Sequence, residues 1–310
     1  MPFNSHSKAV LQALLVTFLW STSWVLVKIG LQTNLPALTF AGLRYTLAFL
    51  CLLPFALTNP SHRSALGNLT KAAWGKLILL GIVFYALTQG AQFVSLSYLP
   101  AATVTLMISF TPLLVAFLSG FLNKEAPSKN QWLGIVLSML GVILYFLPLN
   151  IPARQMIGLV VALGALAANS AGSLLGRQVN HQSPLPPILI TTISMGIGGM
   201  LLLATGGLTQ GFGNLTATHW LIIAWLAVVN TAFAFTLWNR TLRTLTAVES
   251  SIINNTMLPQ IAILAWIFLK EPLNLRQIIS ILLVSAGVLV VQLGRSTLQH
   301  SKRSSRPKTE

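Results

Sequence analysis

The chain contains no aspartate and only four glutamates, Glu125, Glu249, Glu271 and Glu310, among 310 residues. Charged side chains make up 7% of it, against about 25% in soluble globular domains. Hydrophobic residues make up 54%, and the mean hydropathy is +0.76. That balance excludes an ordinary soluble fold and points to an all-α polytopic membrane protein. The single cysteine, Cys51, lies in an apolar stretch, which excludes an intrachain disulfide and a cysteine metal cluster. Without aspartate there is no paired-aspartate chemistry. The histidines, His6, His62, His181, His219 and His300, fall in loops or at span ends, and no HExxH helix or GxSxG elbow occurs. The sequence is read as no enzyme. It has no Walker A loop for direct use of ATP, and nothing in it calls for a metal or another cofactor.

Lysine and arginine number 19 and give a formal net charge of +15. A basic chain invites a nucleic-acid reading, but these residues stand between apolar runs or in the tail Lys302, Arg303, Arg306 and Lys308, and they form no amphipathic surface. Orientation in a bilayer accounts for them. Windows of about 20 apolar residues predict ten helices, near residues 10–30, 36–57, 74–96, 101–122, 131–149, 155–176, 187–206, 219–238, 246–268 and 275–294. The first run, Val10 to Ile29, lacks a small-residue cleavage pattern and is read as a retained helix. With the N-terminus in the cytoplasm, fourteen basic residues fall on the cytoplasmic side and four, Lys28, Arg154, Lys270 and Arg276, on the other, with Arg44 inside a span. That asymmetry predicts a multi-pass protein of the inner membrane with both termini cytoplasmic.

Lys124-Glu125 closes one long apolar run, and Lys270-Glu271 closes another 146 residues later. The same shift superposes Leu99 on Leu245, Gln131 on Gln277, Gly141 on Gly287 and Val142 on Val288, while Pro112 and Pro259 fall one residue out of that register. The chain is read as one segment used twice: five-helix repeats at residues 1–150 and 151–296, then a basic cytoplasmic tail at 297–310. Five is odd, so the second copy enters the membrane upside down relative to the first. Two similar halves pointing opposite ways can exchange conformations and open a central site to either side in turn, as secondary transporters do. Two alternatives stand beside this. Duplication can merely build a stable bundle, as in a receptor or structural membrane protein. A channel is the other, although repeated carbonyl-filter and charged-ring motifs are missing.

Trp20-Ser21-Thr22-Ser23-Trp24 with Lys28 in helix 1, Leu43-Arg44-Tyr45 in helix 2, and the order proline, Lys-Glu, glycine in helices 4 to 5 and again in 9 to 10 resemble the drug/metabolite transporter superfamily, in its ten-helix EamA-like branch. The resemblance covers nearly the whole chain. It implies an inner-membrane carrier with two five-helix repeats around a central cavity, and a cargo among amino acids, other metabolites and toxic compounds. Outward transport is implied by the resemblance alone. The chain departs from the family pattern at Ser21, where a glycine commonly follows the helix 1 tryptophan, and at Asn169-Ser170, where helix 6 would carry a tryptophan pair.

Polar side chains in mid-span turn from lipid toward the bundle interior or a wet cavity. Tyr85, Gln89 and Gln92 share one stripe of helix 3 at i, i+4 and i+7. Helix 9 offers Ser250 with Asn254 and Ser251 with Asn255, followed by Thr256; helix 6 offers Asn169, Ser170 and Ser173; helix 8 offers Asn230 and Trp238. Together with Trp20 and Trp24, these groups outline a substrate site suited to a small zwitterionic or amphiphilic solute. Helix-to-helix hydrogen bonding uses the same residue types. Trp74, Trp132 and Trp220, at span edges, read as interfacial anchors.

Pro112 and Pro259 lack the N–H groups that would engage the carbonyls of Ile108 and Asn255, so each marks a kink, serving either as a gate hinge or as a static bend. Arg44, about eight residues into helix 2, can hold a substrate carboxylate or bind helix-end carbonyls. Glu249 is the sole intramembrane carboxylate and the candidate proton carrier if transport is proton-coupled. The glutamates of the two Lys-Glu pairs are placed to close onto the start of the next helix. The expected partners are a small-molecule substrate and the lipid bilayer, with no nucleic acid and with a homodimer left open.

Overall fold

The computed structural model describes residues 5–111, 113–115, 118, 129–147, 152–183, 185–241, 244, 245, 253, 254 and 256–304, and among these the chain is helical without strands. We number the helices α1 (Ser5–Gln32), α2 (Ala37–Leu57), α3 (Pro60–Gly67), α4 (Lys71–Tyr98), α5 (Ala101–Ile108), α6 (Lys129–Phe146), α7 (Ala153–Gln182), α8 (Pro187–Thr209), α9 (residues 217–241), α10 (Met257–Leu269) and α11 (Leu275–Ser304). Six of them, α1, α2, α4, α7, α8 and α9, are long and apolar enough to cross a membrane. Shorter apolar helices lie at the other four predicted positions. Two features differ from expectation. The loop after α2 carries the short helix α3, because Asn59 caps it by accepting from the Ser61 N–H at 3.0 Å and Pro60 opens its first turn. The last helix runs to Ser304, beyond the predicted end near 294.

Helix starts follow the punctuation of the sequence. Pro36, Pro100, Pro152 and Pro186 stand directly before α2, α5, α7 and α8, where a missing N–H costs nothing. Thr70 caps α4, and Thr216 with His219 forms a reciprocal capping box at α9. Asn274 and Gln277 do the same for α11, at 2.9 and 3.0 Å.

In lipid the apolar effect does not drive helices together, so close packing of small residues does. The bundle obeys this. α2 packs along α8, where a Cβ on Gly199 would stand 2.9 Å from the Thr46 nitrogen. α6 packs along α11, where a Cβ on Gly141 would stand 2.9 Å from the Ser280 carbonyl and one on Gly287 2.6 Å from the Gly134 carbonyl. The later part of α4 packs on α7, and the later part of α9 packs on α1. α5 touches α7 and α10, while α10 touches α1 and α5. The opposite faces of α6 and α11 present Leu133, Met139, Ile143, Leu275 and Leu282 outward, as lipid contact requires.

Two local devices occur twice. α4 widens into a π-helical segment at Gly81–Leu87, and α9 does so at Val228–Phe233, starting 147 residues later. A widened turn frees carbonyls, and threonines take them up: Thr88 Oγ1 donates to Val83 O at 2.9 Å and Thr231 Oγ1 donates to Leu226 O at 2.8 Å. The second device is an interruption ahead of each proline. α5 ends at Ser109, whose Oγ donates to Leu106 O at 2.7 Å, and the chain turns at Thr256 before α10, with Thr256 Oγ1 donating to Ile253 O at 2.6 Å. These two residues are again 147 apart and have nearly the same backbone angles, φ −62° and ψ −13° against φ −64° and ψ −15°.

Candidate functional site

Three consecutive side chains of α1 reach two neighbouring helices. The Trp20 ring packs against Phe235 and Trp238 of α9, with centroids 5.2 Å away in both cases. Thr22 Oγ1 accepts from Asn230 Nδ2 at 3.1 Å, and the same amide donates to the Leu19 carbonyl. Ser21, which stands where a glycine was expected, lies 2.7 Å from the Thr17 carbonyl and 2.9 Å from Gln260 Oε1 of α10, and shares one proton between them. Gln260 Nε2 in turn donates to Thr256 Oγ1 at 3.0 Å, tying α1 to the interruption before α10. Trp20 Nε1 and Asn230 Oδ1 are buried without a hydrogen-bond partner among the described residues. Such groups are costly in a native interior.

A second cluster meets around α2. Tyr45 donates its hydroxyl proton to Gln89 Oε1 at 2.6 Å, and its ring stands edge-on to Tyr85 at 5.9 Å. Tyr85 and Gln89 therefore share a face of α4, as their spacing requires, with Tyr85 inside the π segment. Arg44 reaches α9, donating from Nε to Thr231 Oγ1 at 3.1 Å, near the middle of that helix and inside its π segment. The two π segments thus flank the Arg44-Tyr45 pair. A charge at the bilayer centre costs at least about 2.5–3.5 kcal/mol, so Arg44 must be engaged. Among the described residues its hydrogen bond goes to a threonine hydroxyl of a neighbouring helix.

The remaining predicted site residues fall as follows. Asn169 of α7 donates to Thr111 Oγ1 at 2.9 Å, bridging to the segment after α5. Gln92 is half-buried and Asn254 is exposed. Pro259 lies in the first turn of α10, where the absent N–H is tolerated. Asn255, Glu249 and Pro112 lie outside the described residues, as do Lys124 and Glu125. Sequence reasoning missed Thr231, Thr111 and Gln260 as contact residues. Gln260 carried a signal, since it is the only amide in the apolar stretch of α10.

At one end of the bundle, charges knit helix termini together. Lys28 Nζ donates to the carbonyls of Leu96 and Leu99 at 2.5 and 2.6 Å, where α4 ends. Arg154 lies 6.0 Å from the Tyr98 ring at the same end. Glu271 accepts from the N–H groups of Ala101 and Ala102 at 2.9 and 3.4 Å, the start of α5. This corrects the expectation that Glu271 closes onto the next helix. The left-handed Lys270, φ 53°, turns the chain back after α10 and aims the carboxylate at α5 instead of α11.

A family profile described as "EamA-like transporter family" matches residues 7–147 and again residues 156–293. The uncharacterized transporter YvbV of Bacillus subtilis is 28% identical over 90% of this chain and 90% of its own. The probable amino-acid metabolite efflux pump of Salmonella typhimurium is 26% identical over 73% of this chain and 75% of its own. An S-adenosylmethionine/S-adenosylhomocysteine transporter of Chlamydia trachomatis is 24% identical over 85% of this chain and 82% of its own. A solved protein crystal structure superposes with a TM-score of 0.66 at 18% identity, covering 93% of this chain and 99% of that one, so the two share a fold.

Proposed function

The chain belongs to the EamA-like transporter family, and on that premise we propose that this membrane transporter is a secondary carrier of the cytoplasmic membrane working by alternating access. It has ten spans in two inverted five-helix repeats, residues 1–150 and 151–296, with a basic cytoplasmic tail at 297–310. It moves a small organic metabolite, and the efflux-pump relative favours an amino-acid-like solute carried outward. Both termini are cytoplasmic.

The observation that carries the reading is the recurrence of one device in both halves: an apolar helix interrupted at Ser109 and again at Thr256, 147 residues apart. Interrupted helices at corresponding places in two repeats are where carriers build their sites, because freed backbone groups line a cavity and not lipid. The paired π segments support the same relation. So do the packings, which map onto one another when the halves are exchanged: α4 on α7 answers α9 on α1, and α5 on α7 answers α10 on α1.

Reconstitution into proteoliposomes tests the mechanism. A carrier gives saturable flux and counterflow of labelled solute. Linear, non-saturating flux would make the chain a pore, and no flux of any solute would leave a receptor or structural protein. Topology is checked separately in a Cys51→Ser background with single cysteines at Lys124 and Lys270. Labelling of both from the same side of the membrane would defeat the inverted arrangement.

A further inference from the structure

Arg44 is 6% exposed, and its Nε is committed to Thr231 Oγ1 at 3.1 Å. The rings of Tyr45 and Phe93 lie 5.2 and 6.0 Å from its Cζ, within cation–π range. A guanidinium has five N–H donors. Among the described residues the other four meet no hydrogen-bond acceptor, and no described carboxylate pairs with the group. Glu271, the one described glutamate, is taken up at the start of α5. Lys28, by contrast, satisfies its charge on helix-end carbonyls. A cation left this incompletely bonded inside a span calls for an anion.

We propose that Arg44 binds the carboxylate of the transported solute, and that the cargo is a monocarboxylate-bearing, amino-acid-like molecule. The proposal rests on the carrier reading and deepens it. The chemistry follows from which edge of the guanidinium is free. With Nε held by Thr231, the edge formed by the two terminal nitrogens remains, and its two parallel N–H groups match the two oxygens of a carboxylate. One buried cation balances one negative charge, which favours a carboxylate over a doubly charged phosphate. The hold comes from the π segment of α9, whose next residue toward the N-terminus, Asn230, carries the unpartnered acceptor Oδ1. Movement of α9 against α2 therefore acts on the arginine and on the orphan acceptor together.

The test compares acids with their amides on the purified full-length protein by thermal shift. The pairs are L-leucine and L-leucinamide, L-methionine and L-methioninamide, L-phenylalanine and L-phenylalaninamide, and benzoate and benzamide, with inorganic phosphate as a further arm. Acids are expected to raise Tm where the matched amides do not. Arg44→Gln is expected to raise the half-saturating concentration at least about tenfold, with Arg44→Lys in between. Thr231→Val keeps the charge but frees Nε, and is expected to weaken acid binding several-fold without abolishing the preference for acid over amide. It serves where Arg44→Gln fails to fold. A purely structural arginine would lower Tm in these variants and leave the acid-to-amide preference of the wild type absent. Equal response to acids and amides, a response to phosphate alone, no response to any acid, or unchanged acid affinity in Arg44→Gln each overturns the proposal. The carrier reading fails on a different result: an acid that binds the wild type through Arg44 but shows no saturable counterflow in proteoliposomes. Counterflow of an acid at wild-type rate in Arg44→Gln would remove the anchor and leave the carrier.

Discussion

Glu271 caps the backbone of Ala101, a residue 170 positions earlier, at 2.9 Å. The bond joins the end of α10 to the start of α5, the two helices interrupted at equivalent positions, and a carboxylate there meets both the free N–H groups and the positive end of the helix dipole. Glu271→Ala is expected to lose about 1–2 kcal/mol, the cost of an uncapped helix start. Glu271→Gln, which keeps an acceptor, should lose less. Thermal unfolding in detergent reads both; equal stability of wild type and Glu271→Ala would remove the cap from the account.

Lys28 closes the neighbouring terminus by donating to Leu96 O and Leu99 O. Replacing it with methionine keeps the stem and removes the donors, leaving two carbonyls at the end of α4 unmatched. Hydrogen bonds from a charged donor are worth about 1.5–3 kcal/mol, so Lys28→Met should be among the more destabilising changes near this end. Thermal unfolding of the variant beside Glu271→Ala measures the two against each other.

Lys270 holds φ 53°, a conformation that costs a side chain with a Cβ about 1–2 kcal/mol. Lys270→Gly relieves that strain and is expected to raise stability, or to leave it unchanged once the flexibility of glycine in the unfolded chain is subtracted. A drop in Tm would mean that the lysine side chain, and not its backbone, matters.

Gly141 and Gly287 occupy matching places on α6 and α11, and each faces backbone of the other helix. Alanine at either is expected to cost about 1–3 kcal/mol through overpacking. Gly164, whose added Cβ would meet nothing within 4 Å, is the control, and Gly164→Ala should be neutral or slightly stabilising.

The proton-coupling expectation falls on Glu249, since Glu271 is occupied by backbone N–H groups. Glu249→Gln is expected to abolish uptake or efflux driven by a pH gradient in vesicles while solute counterflow persists. Unchanged pH-driven transport in the variant would end its role as proton carrier.

Much of the architecture was legible in advance. The helix positions came from apolar windows because hydrocarbon tolerates no unsatisfied backbone. Pro112 and Pro259 were both read as kinks; Pro112 lies outside the described residues, and Pro259 sits in the first turn of α10, where its missing N–H breaks no bond within the helix. Tyr85 and Gln89 were paired correctly by spacing, and Trp20 and Trp238, grouped as site residues, do touch. The role of Thr231 was not legible. Nothing local separates it from any other threonine in a span, and the arginine that selects it lies 187 residues away.

The sequence by itself determined the membrane class and the positions of the apolar segments, because each is a one-dimensional property that lipid imposes on short stretches of chain. Only the tertiary structure decided the partners: Arg44 with Thr231, Ser21 with Gln260, and Glu271 with α5 and not α11. Those choices depend on which helix faces come within hydrogen-bond reach, about 3 Å, and on the twist that a π segment or a left-handed lysine adds between two otherwise ordinary helices.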